Sequence, residues 1–158
     1  MEFMPALLSS EESDQLADRI EAHFEEHGFG LWAAELRQSA EFIGYIGLAV
    51  PRFEAAFTPC VEIGWRLASP HWGQGLATED ARAALRHGFE ALELLDLVSF
   101  TVPANLRSRG VMERLGISHD ALEDFDHSLL AEGHLLRRHV LYRLRRLRWT
   151  EQVDAAMK

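Results

Sequence analysis

Pro70-His71-Trp72-Gly73-Gln74-Gly75-Leu76-Ala77-Thr78-Glu79 follows a strand-like segment and opens a strongly helical one. Two glycines two apart let the backbone turn sharply and present successive N–H groups, and the helix that follows adds its positive end and its unpaired amides. The stretch reads as an anion cradle suited to a pyrophosphate. It is not a P-loop, because Gly75 is followed by Leu76 rather than by the Lys and hydroxyl residue that a triphosphate and its Mg²⁺ require. A dinucleotide fingerprint would want a third small residue at Thr78 and helices between the preceding strands, and neither is present. A plain glycine-rich turn joining strand to helix is the remaining alternative.

Upstream, Ser9-Ser10-Glu11-Glu12 reads as a capping box, and Leu16, Ile20 and Phe24 recur at helical spacing until Gly28 closes the segment. Apolar, β-rich runs over residues 31–37 and 42–50, parted by Gln38-Ser39-Ala40-Glu41, predict a hairpin. A looser stretch bounded by Pro51 and Pro59 leads into a strand over residues 60–67, which Pro70 ends. Downstream, Ala81, Ala84, Leu85, Phe89 and Leu92 give a helix over 78–92 one apolar face. Residues 98–102 form a short central strand, and Asn105 caps a second helix that runs towards Leu115 and stops at Gly116. The remainder reads as a hairpin with the acidic loop Glu123-Asp124-Phe125-Asp126-His127 and a strand over 139–144, followed by a loose helix after Trp149.

A chain of 158 residues with 47% hydrophobic and 26% charged residues has the composition of one globular domain. Its apolar runs are too short to span a bilayer, and Met1-Glu2-Phe3-Met4-Pro5 lacks the basic flank and apolar core of a signal peptide, which predicts a soluble, cytoplasmic protein without a membrane partner. The single cysteine, Cys60, forms no intrachain disulfide and reads as a small apolar group. A net charge of −9 repels nucleic acid and favours a small cationic partner. The arginines crowd at Arg137, Arg138, Arg143, Arg145, Arg146 and Arg148, where an alternating strand would turn most of them to solvent. His127, His134 and His139 lack the spacing of a ligand set, so no metal is expected. Trp32, Trp65, Trp72 and Trp149 read as core or pocket wall.

The order is thus antiparallel strands, a long strand, a glycine turn, a helix, a strand, a short helix and a final hairpin. Val61-Glu62-Ile63-Gly64-Trp65-Arg66-Leu67, the glycine stretch, Asn105-Leu106-Arg107-Ser108 and Val111-Met112-Glu113-Arg114-Leu115-Gly116 together resemble the GNAT superfamily of acyl-CoA-dependent N-acetyltransferases, in its RimJ/RimL-like branch. Asp124-Phe125-Asp126-His127, Glu132-Gly133-His134 and Arg138-His139-Val140-Leu141-Tyr142 are similar to the C-terminal pattern of that branch. The resemblance implies an α/β (α+β) fold, with a mixed, mostly antiparallel sheet flanked by helices and a splayed central strand before the glycine loop. It implies one acyltransferase-like domain over residues 1–148 and a C-terminal tail over 149–158. Relatives usually place a strand and a helix ahead of the segment matching Phe3-Met4-Pro5. Without them the sheet would expose an edge open to pairing in a homodimer, and the acceptor site would be remodelled.

The resemblance places the pyrophosphate of acetyl-CoA on backbone amides from Gly73 through Gln74, Gly75 and Leu76 to Ala77, flanked by Trp72 and Thr78. Pantetheine would lie along Trp65, Arg66 and Leu67, one backbone N–H there serving the oxyanion, and Gly64 fits the bulge that such splaying would use. Asn105 is a helix cap or a CoA contact, and Arg107 and Arg109 are candidates for the phosphates. Attack by an amine needs a base, and Glu62 is the first candidate, with an exposed polar position in an alternating strand as the other reading. Asp126 and His127 are second candidates near the acceptor, or else a solvated turn. Met112 stands where many members carry a tyrosine acid, so Ser108 becomes the candidate donor to sulfur, or else a packing residue of its helix. The implied activity is acetyl transfer from acetyl-CoA to a primary amine, on a small molecule or a protein N-terminus, by direct attack in a ternary complex. A non-catalytic acyl-CoA-binding or assembly module is the competing reading, and a dinucleotide-binding enzyme a third.

Overall fold

In the computed structural model residues 2–4 and 7–158 are described, and Met1, Pro5 and Ala6, part of the N-terminal stretch scanned for targeting signals, lie outside the described residues. Helix α1 (Ser10–His27) begins at the capping box, where Glu12 N–H donates to Ser9 Oγ at 3.1 Å and Ser9 N–H donates to Glu12 Oε2 at 2.8 Å. Gly28 ends it in the left-handed conformation, at φ +75°. No residue of α1 is fully buried, so the helix is held by a few specific contacts. His23 is the chief of these: Val50 N–H donates to its Nε2 at 2.9 Å, which leaves the ring proton on Nδ1 to donate to Phe29 O at 2.8 Å.

The hairpin over 31–50 forms as β1 (Leu31–Glu35) and β2 (Phe42–Ala49), and β3 (Glu62–Leu67) adds antiparallel to β2. With β4 (Asp96–Thr101), β5 (Ser118–His119), β6 (Phe125–Asp126) and β7 (Arg138–Arg145), the sheet runs β1-β2-β3-β4-β7-β5, and β6 pairs with β7. Only β3 and β4 pair in parallel, so the sheet is mixed and mostly antiparallel.

Helix α2 (Leu76–Arg86) starts directly from the glycine loop, two residues before the expected start at Thr78, and widens into a π-type turn over His87–Ala91. Helix α3 (Leu106–Arg114) is capped by Asn105, and Gly116 turns the chain away at φ +75°. Helix α2 packs against β2 and β3, and α3 packs against β4 and α2. Alternation puts Ile63, Leu67, Leu97, Tyr142 and Leu144 on the sheet face that buries Ala81, Ala84, Leu85 and Met112. Helix α4 (Arg146–Ala156) closes the chain: Trp149 stacks on Phe89 with ring centroids 5.2 Å apart, and Gln152 Nε2 donates to Gly116 O at 3.2 Å.

The arginine cluster departs from the expected solvated strand face. Arg146 and Arg148 fall on α4. Arg143 is half-buried, donating to Asp96 Oδ2 at 2.7 Å and forking onto Glu123. The carboxylates arriving from β4 and from the 121–123 turn compensate its desolvation, which the spacing of arginines in β7 could not reveal.

Candidate active site

The parallel strands β3 and β4 meet at one position, Glu62 opposite Val98, where Val98 N–H donates to Val61 O at 3.0 Å. Beyond it β3 stays on β2 and β4 stays on β7, so a wedge opens between them. Strand alternation decides what lines the wedge. Ala68 N–H donates to Ile43 O on the β2 side, and Val61 O faces β4. The backbone N–H and C=O groups of Ile63 and Trp65 therefore face the wedge, while those of Gly64 and Arg66 face β2.

No bulge occurs at Gly64, because the register runs unbroken from Ala49 opposite Glu62 to Gly44 opposite Leu67. The splay needs only that β4 depart while β2 holds β3 straight. Gly64 instead leaves room beside the carboxyl of Glu62, since a Cβ there would lie 3.6 Å from Oε1. Of the three expected pantetheine contacts, Trp65 turns its backbone N–H and C=O to the wedge, and Leu67 turns its N–H there by the same alternation, while Arg66 faces β2. The Arg66 guanidinium donates to Met4 Sδ at 3.0 Å and sits 5.6 Å from the Tyr45 ring centroid. Leu67 is buried, and its carbonyl accepts from Trp72 Nε1–H at 2.7 Å.

Gly73 and Gly75 adopt φ +73° and +79°, and a Cβ on either would meet nothing within 4 Å. Glycine is needed for the turn, and the space above it is open. Glu79 N–H makes the first intrahelical bond, to Gly75 O at 3.0 Å, which leaves the N–H groups of Leu76, Ala77 and Thr78 at the positive helix end. The arrangement fits a pyrophosphate. The Thr78 side chain is buried and accepts from Arg114 Nε at 3.4 Å, so what Thr78 presents to the loop is its amide. Gln74 reaches back to Pro70 O. Trp72 carries the Arg107 guanidinium 4.6 Å over its ring, which sets α3 beside the loop.

At the start of α3, Asn105 Oδ1 accepts from Ser108 N–H at 3.3 Å, while its amide donates to Thr101 Oγ1 at 3.0 Å and to Ser108 Oγ at 3.2 Å. Ser108 Oγ accepts there, so its own O–H remains to donate. Arg109 is spent inward: Nε donates to the Tyr142 hydroxyl at 3.1 Å and Nη1 to Pro103 O at 2.9 Å. Of the two arginines expected at the phosphates, Arg107 alone stands at the glycine loop. Met112 is 1% exposed, a side chain of the hydrophobic core.

Glu62 is half-buried, and burial pushes its carboxyl up to about 8. Nearby Cys60 is raised to about 11, by burial first and then by the Glu62 and Asp96 charges against Arg143, so its thiol is no nucleophile at neutral pH. Asp126 is exposed, 3.5 Å from Arg138. His127 turns into a cluster of rings with Phe53, Phe57, Phe100, Phe125 and His139, at centroid distances from 4.3 Å (Phe53 to His127) upward. The sequence reading missed Phe53 and Phe57, four residues apart in what it took for loose chain, because nothing local says what they touch. Among the described residues no three His, Cys, Asp or Glu side chains gather as a metal site, and no helix is long and apolar enough to cross a membrane.

The FsC-acetyl coenzyme A-N(2)-transacetylase of Aspergillus fumigatus is 38% identical over 96 residues, covering 58% of this chain and 40% of its own length. The uncharacterized protein YkkB of Bacillus subtilis is 34% identical over 93 residues, 59% of this chain and 53% of its own. The chain thus spans about half or less of the length of these curated relatives. The crystal structure of an acetyltransferase from Agrobacterium tumefaciens superposes with a TM-score of 0.67 at 29% identity, covering 89% of this chain and 74% of that one. The family described as the acetyltransferase (GNAT) domain matches residues 1–118, from α1 through the wedge and the glycine loop to the end of α3, and this chain belongs to it.

Proposed function

We propose that the protein transfers an acetyl group from acetyl-CoA to a primary amine, on a small molecule or a protein N-terminus, by direct attack in a ternary complex. The observation that carries this reading is the wedge between β3 and β4, with the half-buried Glu62 at its apex and the helix-end amides at its mouth. Acetyl-CoA brings the thioester whose carbonyl carbon the amine attacks. The N–H groups from Gly73 to Thr78 hold the pyrophosphate, aided by Arg107. The Trp65 N–H faces the carbonyl oxygen and stabilises the charge that gathers there. Glu62 takes the proton that the amine sheds as the C–N bond forms. An alkylammonium has a pKa near 10.4, so a base near 8 is better matched to it than an ordinary carboxylate. As the C–S bond breaks, the Ser108 O–H donates to the departing sulfur, which is already a fair leaving group.

We infer further that two copies pair along the outer edge of β1. In support, β1 closes one end of the sheet order, and beside it runs a groove of about 580 Å³ lined by Trp32, Ala34, Ile46, Ala83 and His87 among others.

The direct test is thiol release from saturating acetyl-CoA against a panel of amines and peptides, beside a calorimetric titration with acetyl-CoA. Saturable binding together with amine-dependent thiol release is expected. Binding without accelerated release by any acceptor would overturn the reading in favour of a non-catalytic CoA-binding module.

A further inference from the structure

Phe100 lies two residues beyond Val98 on β4, and Val98 is the β4 partner of Glu62. Alternation puts Val98, Phe100, Leu141 and His139 on the sheet face shared with Glu62, opposite to the face that α2 and α3 cover. Strand spacing sets Phe100 about 8 Å from Glu62, Cα to Cα. Over this position the 51–60 loop brings Phe53 and Phe57, and the β6–β7 ladder brings Phe125 opposite His139. Phe53 and Phe57 meet Phe100 at 5.6 and 6.0 Å, and Phe125 meets Phe57 at 4.7 Å. All four phenylalanines, with His127 and His139, are only half-buried.

We propose that this ring cluster of Phe53, Phe57, Phe100, Phe125, His127 and His139 is the acceptor subsite, and that it selects a primary amine carrying an aromatic or bulky apolar group a few bonds from its nitrogen. This rests on the acetyl-transfer reading above and names its substrate class. A tether of two or three bonds spans the interval from the base to the rings, so the amine reaches Glu62 while its apolar group extends the edge-to-face packing. Charge points the same way. The carboxylates around the cluster are engaged, Asp96 and Glu123 by Arg143 and Asp126 by Arg138, while Glu54 is exposed to solvent and Arg66 adds a positive charge on the face of Glu62. Burial lowers both histidines, the neighbouring His139 lowers His127 further, and a hydrogen bond to Arg137 O partly offsets the effect at His139. Near neutral pH the histidines of the cluster are thus uncharged and Glu62 is protonated in its resting form. A polyamine's second ammonium would find little to pair with there.

The test compares kcat/KM for 2-phenylethylamine and phenylalaninamide with that for ethylamine and spermidine, and adds a titration of the protein with 2-phenylethylamine alone, read by NMR. Burying one ring predicts a preference of about tenfold or more for the aryl amines, together with saturable shifts of the His127 and His139 ring signals. In Phe125→Leu, which keeps the site apolar and folded, and in Phe53→Ala, the ratio of aryl amine to ethylamine kcat/KM falls towards one, through KM. Spermidine or ethylamine turned over as well as the aryl amines would overturn this inference and leave acetyl transfer standing. Ring binding that both variants lose, without turnover of any amine, would support the subsite and count against the acetyl-transfer reading.

Discussion

Glu62 carries the proposed base chemistry in one side chain: it opens β3, borders the wedge and is half-buried. Its carboxyl is raised to about 8, so the working carboxylate appears only as pH climbs through that value. The wild-type kcat/KM is expected to carry an ascending limb near pH 8, beside the one set by the amine itself, and Glu62→Gln to lower it by roughly 10²- to 10⁴-fold with the limb near 8 gone. An unaltered pH–rate profile in Glu62→Gln would remove Glu62 from the mechanism. Stability carries the same sign. The raised value means that the fold prefers the proton, so stability is lost as pH rises from the ordinary carboxylate range through about 8. Glu62→Gln should therefore melt higher than wild type at pH 9 and alike at pH 4. Arg107 and Arg109 make the complementary point: two neighbouring arginines look alike in the chain, yet one rides on Trp72 at the glycine loop while the other is tied to Tyr142.

Helix α4 tests how elements share the core. Its N-terminal half presses Trp149 on Phe89, which hangs from the π-type turn after α2, and Gln152 reaches the Gly116 turn after α3. α4 thus touches the ends of both helices that cover one face of the sheet. Trp149→Ala is expected to cost about 2–3 kcal/mol, the low side of core aromatic truncation because the ring is partly exposed, read as a lower urea midpoint at unchanged m. A loss below about 0.5 kcal/mol would make residues 149–158 a dispensable tail. The capping box of α1 and the Asn105 cap of α3 were legible residue by residue, since a cap needs only partners three positions away. The β3–β4 wedge was expected only through the family resemblance, because strands far apart in sequence part only where each has a better partner on its other side.

On the scale of the molecule, the sheet ends at β1, whose neighbour β2 takes the N–H and C=O groups on one side. Leu48 N–H donates to Gly30 O, so by alternation Leu31 and Ala33 turn their backbone groups outward. Ala33 is exposed. A proline there removes an outward donor and spares the β1–β2 ladder. Wild type is expected to sediment as a dimer, and Ala33→Pro as a folded monomer with an unchanged circular dichroism spectrum. A wild-type monomer at tens of micromolar would remove the edge-pairing proposal.

The amino-acid sequence by itself determined the class of fold and the local structure of the glycine loop and the helix caps. The glycine loop, its helix and the Asn105 cap are local structures written in residues a few positions apart, and the alternating runs around them predicted the strands. Tertiary structure decided the rest. It buried Arg143 between two carboxylates, made the wedge without a bulge at Gly64, turned Thr78 and Arg109 inward, and gathered phenylalanines from the 51–60 loop, β4 and β6 over one sheet face. The physical reason is that charge, burial and ring contact depend on what packs against a residue. The partners here lie tens of positions away, where no local pattern records them.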